Sequence, residues 1–290
     1  MDYIEIVIPT QTPEGQWCFN ASFLVRKKGT NKLSYYIESD EDTLEVCFRE
    51  RIAGDGLIYG CEMTPYTWSY SEIYPIVVNP ERTFEDPRFW LFNSKPHMTF
   101  SKYPSLLFGE YSVYEKKLKS MITLPFAGNG QGSLQKNWGF FETNGHIAFV
   151  FLPSPLIILE IELTTNKINM INLSEDKWLN ETEFRGGSSP VLNPLDGLYY
   201  IFVHRTCDYN IWAICFQKDT NEKWKVKGYT KEQLNKPAGT LIHFVSSAIY
   251  DTLKHQWILS GGIRDHHVGI WLLPHDELQK KITWISSTIS

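Results

Sequence analysis

The chain has no Cys-x-x-Cys pair, no run of basic residues and no apolar stretch near the length of a membrane span. A bilayer-crossing helix needs about 20 consecutive apolar residues, so no membrane-spanning helix is predicted. The net charge of −5, without a Lys/Arg cluster, excludes nucleic acid as the expected partner, since phosphate backbones are met by concentrated positive charge. The cysteines Cys18, Cys47, Cys61, Cys207 and Cys215 are odd in number and lack metal-ligand spacing. They read as reduced, partly buried thiols. The opening Met1-Asp2-Tyr3-Ile4-Glu5 has neither the basic nor the apolar region of a signal peptide, so a cytoplasmic protein is expected. The sequons Asn20-Ala21-Ser22 and Asn180-Glu181-Thr182 are set aside on the same ground. Long amphipathic helical patterns are also nearly missing.

What is present is aromatic and short-ranged. Phe, Trp and Tyr make up 14% of the chain, a share that favours β-structure and also suits stacking on sugar faces. With 42% apolar and 21% charged residues, there is ample material for a core. The apolar runs are short, as in Ala148–Leu152, Leu156–Leu159, Leu198–Val203 and Gln256–Leu259. Turn signals bound them: Thr143-Asn144-Gly145, Asn193-Pro194-Leu195-Asp196-Gly197 and Gly261-Gly262. This pattern predicts an all-β chain, with only a short helix at Lys231–Asn235 and a turn at Pro274–Leu278. No Pro/Ser-rich linker divides it, and a single domain over residues 1–290 is expected. Gly128–Gln135 is the most loop-like stretch; Gly-rich though it is, it opens no helix and is not a nucleotide-binding fingerprint.

One hexapeptide carries the most chemistry: Phe84-Glu85-Asp86-Pro87-Arg88-Phe89. Proline fixes its own φ and keeps the preceding residue out of the helical region. Asp86 and Arg88 are therefore expected to leave an extended backbone in defined directions, a carboxyl close to a fixed cation. Similar polar displays recur at Lys136-Asn137-Trp138, at Arg185-Gly186-Gly187-Ser188-Ser189-Pro190 with His204-Arg205, and at Arg264-Asp265-His266. Their spacing is roughly that of a four-stranded propeller blade, about 40–50 residues. A propeller brings one such cluster per blade to a shared funnel, which explains their separation better than a sandwich does. Gly186 and Gly187 are assigned to backbone geometry, through positive φ or close approach.

These motifs resemble, in order, those of the β-mannoside phosphorylases and the related β-1,2-mannosyltransferase/phosphorylases. Glu85-Asp86-Pro87-Arg88 is similar to that family's acidic-Pro-Arg signature, and Phe19-Asn20-Ala21-Ser22 to its early Asn-Ser element. Lys136-Asn137-Trp138, the Arg185–Pro190 strand with Tyr199–His204, and Ser260-Gly261-Gly262-Ile263-Arg264-Asp265 continue the likeness. It covers Phe19 to about Leu278 and implies an all-β, five-bladed β-propeller. By resemblance Asp86 is the proton donor to the glycosidic oxygen, or the base in the synthetic direction. The acid role needs a proton held at working pH, which burial or a neighbouring carboxylate such as Asp265 favours. The resemblance places Asn20, Ser22, Glu85, Arg88, Asn137, Trp138 and Asp265 against the sugar, although for Trp138 packing between blades is slightly favoured. Lys136, Arg185, His204, Arg205 and Arg264 would face an anion.

The inventory separates reaction types. An inverting hydrolase needs a second carboxylate about 6.5–9.5 Å from the acid. A phosphorylase needs cations instead, and Arg suits a phosphate through its paired donors. The matched motifs hold six cationic residues or histidines but only Glu85, Asp86 and Asp265 as carboxylates. The balance favours inverting transfer of a β-linked hexose with phosphate or a sugar nucleotide as co-substrate. No metal or other cofactor is expected, since the Asp265-His266-His267 and His275 group matches no zinc pattern. Ser188 and Ser189 lack a His-Asp pairing, so a serine hydrolase is not expected. The alternatives are an inverting hydrolase, with Glu142 or Glu183 as second carboxylate, and a non-catalytic glycan-binding propeller. One departure is Ser34-Tyr35-Tyr36-Ile37-Glu38, where relatives often carry Arg after Tyr. Without a helical extension for assembly, a monomer or small homo-oligomer is expected.

Overall fold

Strands apolar on both faces must be covered on both faces, and here sheet covers sheet around one axis. The computed structural model describes residues 4–8, 12, 18–50, 57–77, 84–102, 105–124, 137–162, 167–173, 184–205, 209–234, 243–263 and 267–285. Five sheets, antiparallel apart from the short strand Tyr36–Ile37 at the edge of one, form a five-bladed β-propeller. Blade one starts at the inner strand Cys18–Arg26 and steps outward through Thr43–Glu50, Ile58–Met63 and Tyr74–Val77. Blade two runs Glu85–Phe92, Lys95–Lys102 and Ser105–Ser112, and blade three Gly139–Thr143, His146–Leu152, Ile157–Glu162 and Lys167–Leu173. In blade four the inner edge is split into Phe184–Gly186 and Val191–Leu192, both paired to Tyr199–Arg205, followed by Ile211–Lys218 and Trp224–Thr230. Blade five has His243–Asp251, Gln256–Ile263 and His267–Pro274, and is completed by Ile4–Ile8, which pairs antiparallel with His267–Pro274.

Each boundary between neighbouring blades holds one buried apolar cluster. Alternate residues of an inner strand feed different boundaries, because successive side chains leave a strand on opposite faces. Phe89 packs with Leu24 and Cys47 of blade one, while Trp90 packs with Trp138 and Phe140 of blade three. This is why the apolar runs are continuous rather than alternating. Serine hydroxyls tie inner strands together across boundaries. Ser22 Oγ accepts the Phe89 amide at 2.9 Å, and Ser247 Oγ accepts the Phe23 amide at 2.8 Å. Cys18, Cys47, Cys61 and Cys215 are buried free thiols, as expected; Cys207 lies outside the described residues.

Three local readings change. Residues 231–234 form bends rather than a helix, held where the Leu234 amide donates to Ile211 O at 2.7 Å. The expected turn at Pro274 instead leads into a helix, His275–Lys281, with Asp276 and Glu277 in its first turn and Lys280 and Lys281 in its last. Those charges match the helix dipole. Beyond it Ile282–Trp284 returns to the edge of blade four. Gly261-Gly262 is not a turn but lies inside Gln256–Ile263. A Cβ at Gly261 would stand 1.8 Å from Phe244 O, and one at Gly262 2.1 Å from Asn20 Oδ1. Backbone, not a pliable side chain, blocks Gly261. Gly261→Ala is expected to cost more than about 2 kcal/mol through forced backbone shifts, read in denaturant unfolding; an unchanged midpoint would contradict this close approach.

Candidate active site

The inner strands of blades one, two and five are bulged beside the axis, between Phe19 and Ser22, Glu85 and Arg88, and Val245 and Ser247. Bulges re-aim side chains and are frequent next to active sites. They leave Asn20 at φ 54° and Asp86 at φ 53°, and Asn137, just before the blade-three strand, has φ 76°. Asp86 is therefore left-handed, not extended as Pro87 alone would dictate. Asn and Asp are the non-glycine residues that best tolerate that region. Pro87, lacking an N–H, sits at the bulge, where no ladder bond is lost.

Asp86 is buried, and its Oδ1 accepts a hydrogen bond from Asn20 Nδ2 at 2.7 Å. The other end of that amide, Asn20 Oδ1, is buried with no hydrogen-bond partner among the described residues. Gly262 makes room for it. Arg88 is 3% exposed and reaches across the axis. Its Nε donates to Gly187 O at 2.7 Å, one terminal nitrogen to Asp86 O at 3.2 Å and the other to Asn137 Oδ1 at 2.9 Å. The guanidinium also lies 5.2 Å from the centre of the Phe244 ring. Burial lowers its pKa to about 10, opposed by the Asp86 charge, so it remains a cation at neutral pH. Gly186 and Gly187 serve close approach: added Cβ atoms would stand 2.1 Å from Asn137 O and 2.5 Å from Phe202 O.

The structure brings Asn20, Asp86, Arg88, Asn137 and His204 together. His204 stacks on Tyr209 at 5.4 Å and meets the Phe244 ring edge-on at 4.9 Å, the same ring that Arg88 covers. Arg185 is the direct cross-strand partner of His204 and is half-buried, with a hydrogen bond to Phe184 O at 3.2 Å. Other residues point elsewhere. Arg205, next in the strand, takes the opposite face and covers Trp212 at 5.2 Å. Glu85 faces Arg49 at 3.4 Å. The Ser22 hydroxyl is occupied by the Phe89 amide. Trp138 is buried, stacked on Phe149 at 4.6 Å and close to Phe151 at 5.6 Å, so its rings fill the boundary between blades two and three. Lys136, Arg264 and Asp265 lie outside the described residues, as do Glu183 and the Gly128–Gln135 loop.

Glu142 is at the far end of the blade-three inner strand from Asn137, where it accepts the Asn93 amide at 2.6 Å. It is not a second carboxylate facing Asp86. The Tyr35-Tyr36 segment is also remote from this end: Tyr36–Ile37 pairs in parallel with Tyr250–Asp251, and the Tyr36 hydroxyl bonds Leu192 O at 2.7 Å. Two groups were not singled out from the sequence. Phe244 reads as core but seats both Arg88 and His204, and the Ser246 hydroxyl is buried with no partner among the described residues, as is that of Ser189 in the Arg185–Pro190 motif. A serine in an apolar strand carries no signal of its own. Among the described residues no group of three or more His, Cys, Asp or Glu is placed to hold a metal ion, and no helix is long and apolar enough to cross a membrane.

No protein-family model matches the chain, and no curated protein matches it. Solved structures do. A structure from the GH130 family of mannoside phosphorylases, which contains glycoside hydrolases that target β-1,2-mannosidic linkages in Candida mannan, superposes with a TM-score of 0.58 at 11% identity, over 90% of this chain and 85% of that one. A β-1,2-mannobiose phosphorylase from Listeria innocua, solved with β-1,2-mannobiose, gives 0.55 at 11% identity over 96% and 87%. A mannose phosphorylase from Leishmania mexicana, solved with a phosphate ion, gives 0.51 at 10% identity over 99% and 92%. At such identity the likeness establishes a shared five-bladed fold.

Proposed function

We propose that this chain catalyses inverting glycosyl transfer on β-linked hexosides, with β-mannosides as first substrate class and phosphate as anionic co-substrate. One observation carries the reading. A carboxyl, Asp86, sits on a bulged, left-handed position at the axis, held by Asn20, whose own acceptor oxygen is buried with no hydrogen-bond partner among the described residues. A buried polar atom left without a partner is costly, and a sugar hydroxyl is a donor of the right kind for it. The likeness to phosphorylases, one of them solved with phosphate, supports the choice of reaction class.

In phosphorolysis, protonated Asp86 gives its proton to the glycosidic oxygen as the bond to the anomeric carbon breaks. A phosphate oxygen attacks that carbon from the opposite face, releasing an α-hexose 1-phosphate and a shortened glycan. Arg88 and His204 place positive charge or N–H donors near the axis, with Arg185 beside His204, which suits an anionic nucleophile. Lys136 and Arg264 are proposed for the same cradle and Asp265 for sugar hydroxyls. Removing Glu142 from this end weakens the hydrolase reading. A glycan-binding propeller without turnover is the second reading, favoured by the burial of Asp86 and by the backbone and amide acceptors already held by Arg88.

The test is ligand stabilisation coupled to turnover, because a ligand bound only by the folded state raises the melting temperature. Phosphate and mannose 1-phosphate are expected to raise it, and β-1,2-mannobiose to be cleaved only when phosphate is present. Stabilisation by a nucleotide sugar alone, GDP-mannose being the first to try, would replace phosphorolysis by nucleotide-sugar transfer. Phosphate-independent cleavage would restore the hydrolase.

A further inference from the structure

We propose that the face opposite Asp86 carries a second glycan-binding site, a groove between blades three and four that holds a neutral hexose unit. The strand register fixes its place. Asn144 is in the hairpin that follows Thr143, the end of the blade-three inner strand remote from Asn137. Tyr199 begins the strand whose other end is the His204–Arg205 pair, and it is paired with Phe216. Gln217 and Lys218 end the next strand, and Trp224 starts the one after, paired with Lys218. All of these lie at the same end of their strands. A seven-residue strand spans about 20 Å, so the two sites do not share a ligand unit.

These residues, with Glu142, line a cavity of about 500 Å³. Pockets for small ligands fall in the range of about 300–1,000 Å³. Its floor is the open end of the aromatic cluster at this blade boundary: Tyr199 stacks on Phe216 at 5.8 Å and meets Trp224 edge-on at 5.5 Å, and Phe141 closes on both at 5.6 Å. Tyr199 is only half-buried. An aromatic surface beside amide groups is the combination that receives the C–H face and the hydroxyl rim of a pyranose.

Charge selects against anions. The ammonium of Lys218 is held by Glu222 at 2.9 Å and lies over Trp224 at 5.3 Å, and Glu142 adds a carboxylate. The exposed Gln217 carboxamide makes no hydrogen bond among the described residues and offers both a donor and an acceptor. The groove's chemistry stands whether or not the axial site turns over glycosides.

The experiment titrates β-1,2-mannotriose, and separately a β-1,4-linked glucose trisaccharide, into the full chain by calorimetry. Asp86→Asn protein is used to prevent turnover. One of the two is expected to show two binding events, only one of which is competed by mannose 1-phosphate. Gln217→Ala, at an exposed position, and Tyr199→Phe, which keeps the ring, should weaken the uncompeted event about 3–10-fold each, the loss of one hydrogen bond. Both variants should leave turnover of a short β-mannoside unchanged. Loss of the competed event alone would count against the axial reading and leave the groove intact. A single event insensitive to both variants, or no binding by either trisaccharide, would overturn the second site.

Discussion

Replacing Asp86 by Asn is expected to lower turnover about 10²–10⁴-fold, the range of a lost general acid, while sugar binding survives. The substitution is unusually clean here. Asn adopts φ near 53° as readily as Asp, so the bulge keeps its shape. The amide oxygen of the new side chain can still accept from Asn20 Nδ2, now 2.7 Å from the carboxylate. What disappears is the transferable proton. Ala at the same site would confuse the result, because it would lose the side-chain bond and carry a Cβ into left-handed backbone without compensation. The measurement is kcat together with the dissociation constant of a non-cleaved glycoside. Full activity in the Asn variant would remove Asp86 from the chemistry. Absent activity in the parent protein with undiminished binding would favour the glycan-binding propeller.

Replacing Arg88 by Met is expected to destabilise the propeller by about 3–5 kcal/mol, the cost typical of breaking a buried, hydrogen-bonded charge network. Met is unbranched and flexible and fills the stem of the Arg side chain, so the loss is that of the guanidinium, its polar contacts and its volume. Gly187 O and Asn137 Oδ1 would each lose a donor in a buried region, and buried acceptors left bare cost about 1–3 kcal/mol apiece. Asp86 would also lose the cation nearest to its main chain. Lys recovers little, because one ammonium on a flexible stem does not reproduce the fork that reaches blades three and four at once. Chemical denaturation of the two variants checks this. If Met leaves the unfolding midpoint within about 0.5 kcal/mol of the parent, the bracing role is wrong, and Arg88 is better read as a ligand-facing cation.

Much of the architecture could be read from local signals because those signals are local in origin. Asn144-Gly145 forms a hairpin turn with φ of 51° and 75°, as its composition predicts. The short aromatic runs became strands because both faces of each blade are covered. The misreadings arose where distant chain decides local geometry. Gly261-Gly262 carries a turn's composition, but its glycines answer to Phe244 and Asn20 in other strands. Asp86 before Pro87 should be extended by dipeptide rules, yet the bulge and Asn20, 66 residues away, hold it left-handed. Arg88 was legible as a cation, whereas its partner Gly187 O, 99 residues away, was not. Arg205 and Trp138 carried the right chemistry in the right motifs, but strand alternation turns one onto Trp212 and blade packing buries the other.

Asn20, Asp86 and Asn137 occupy the same kind of left-handed position at the head of three successive inner strands. Backbone conformation repeats there while the side chains differ, in a sequence whose internal repeats cannot be aligned by eye. A ring of five identical heads would offer the same group in every direction, whereas a pyranose presents a different atom on each side. Discriminating one hydroxyl from the next therefore requires the heads to differ. Two of the heads are amides and one is a carboxyl; under the proposed function the amides position and the acid reacts, and that broken symmetry would let a rotationally regular frame hold a chiral, asymmetric guest in a single orientation.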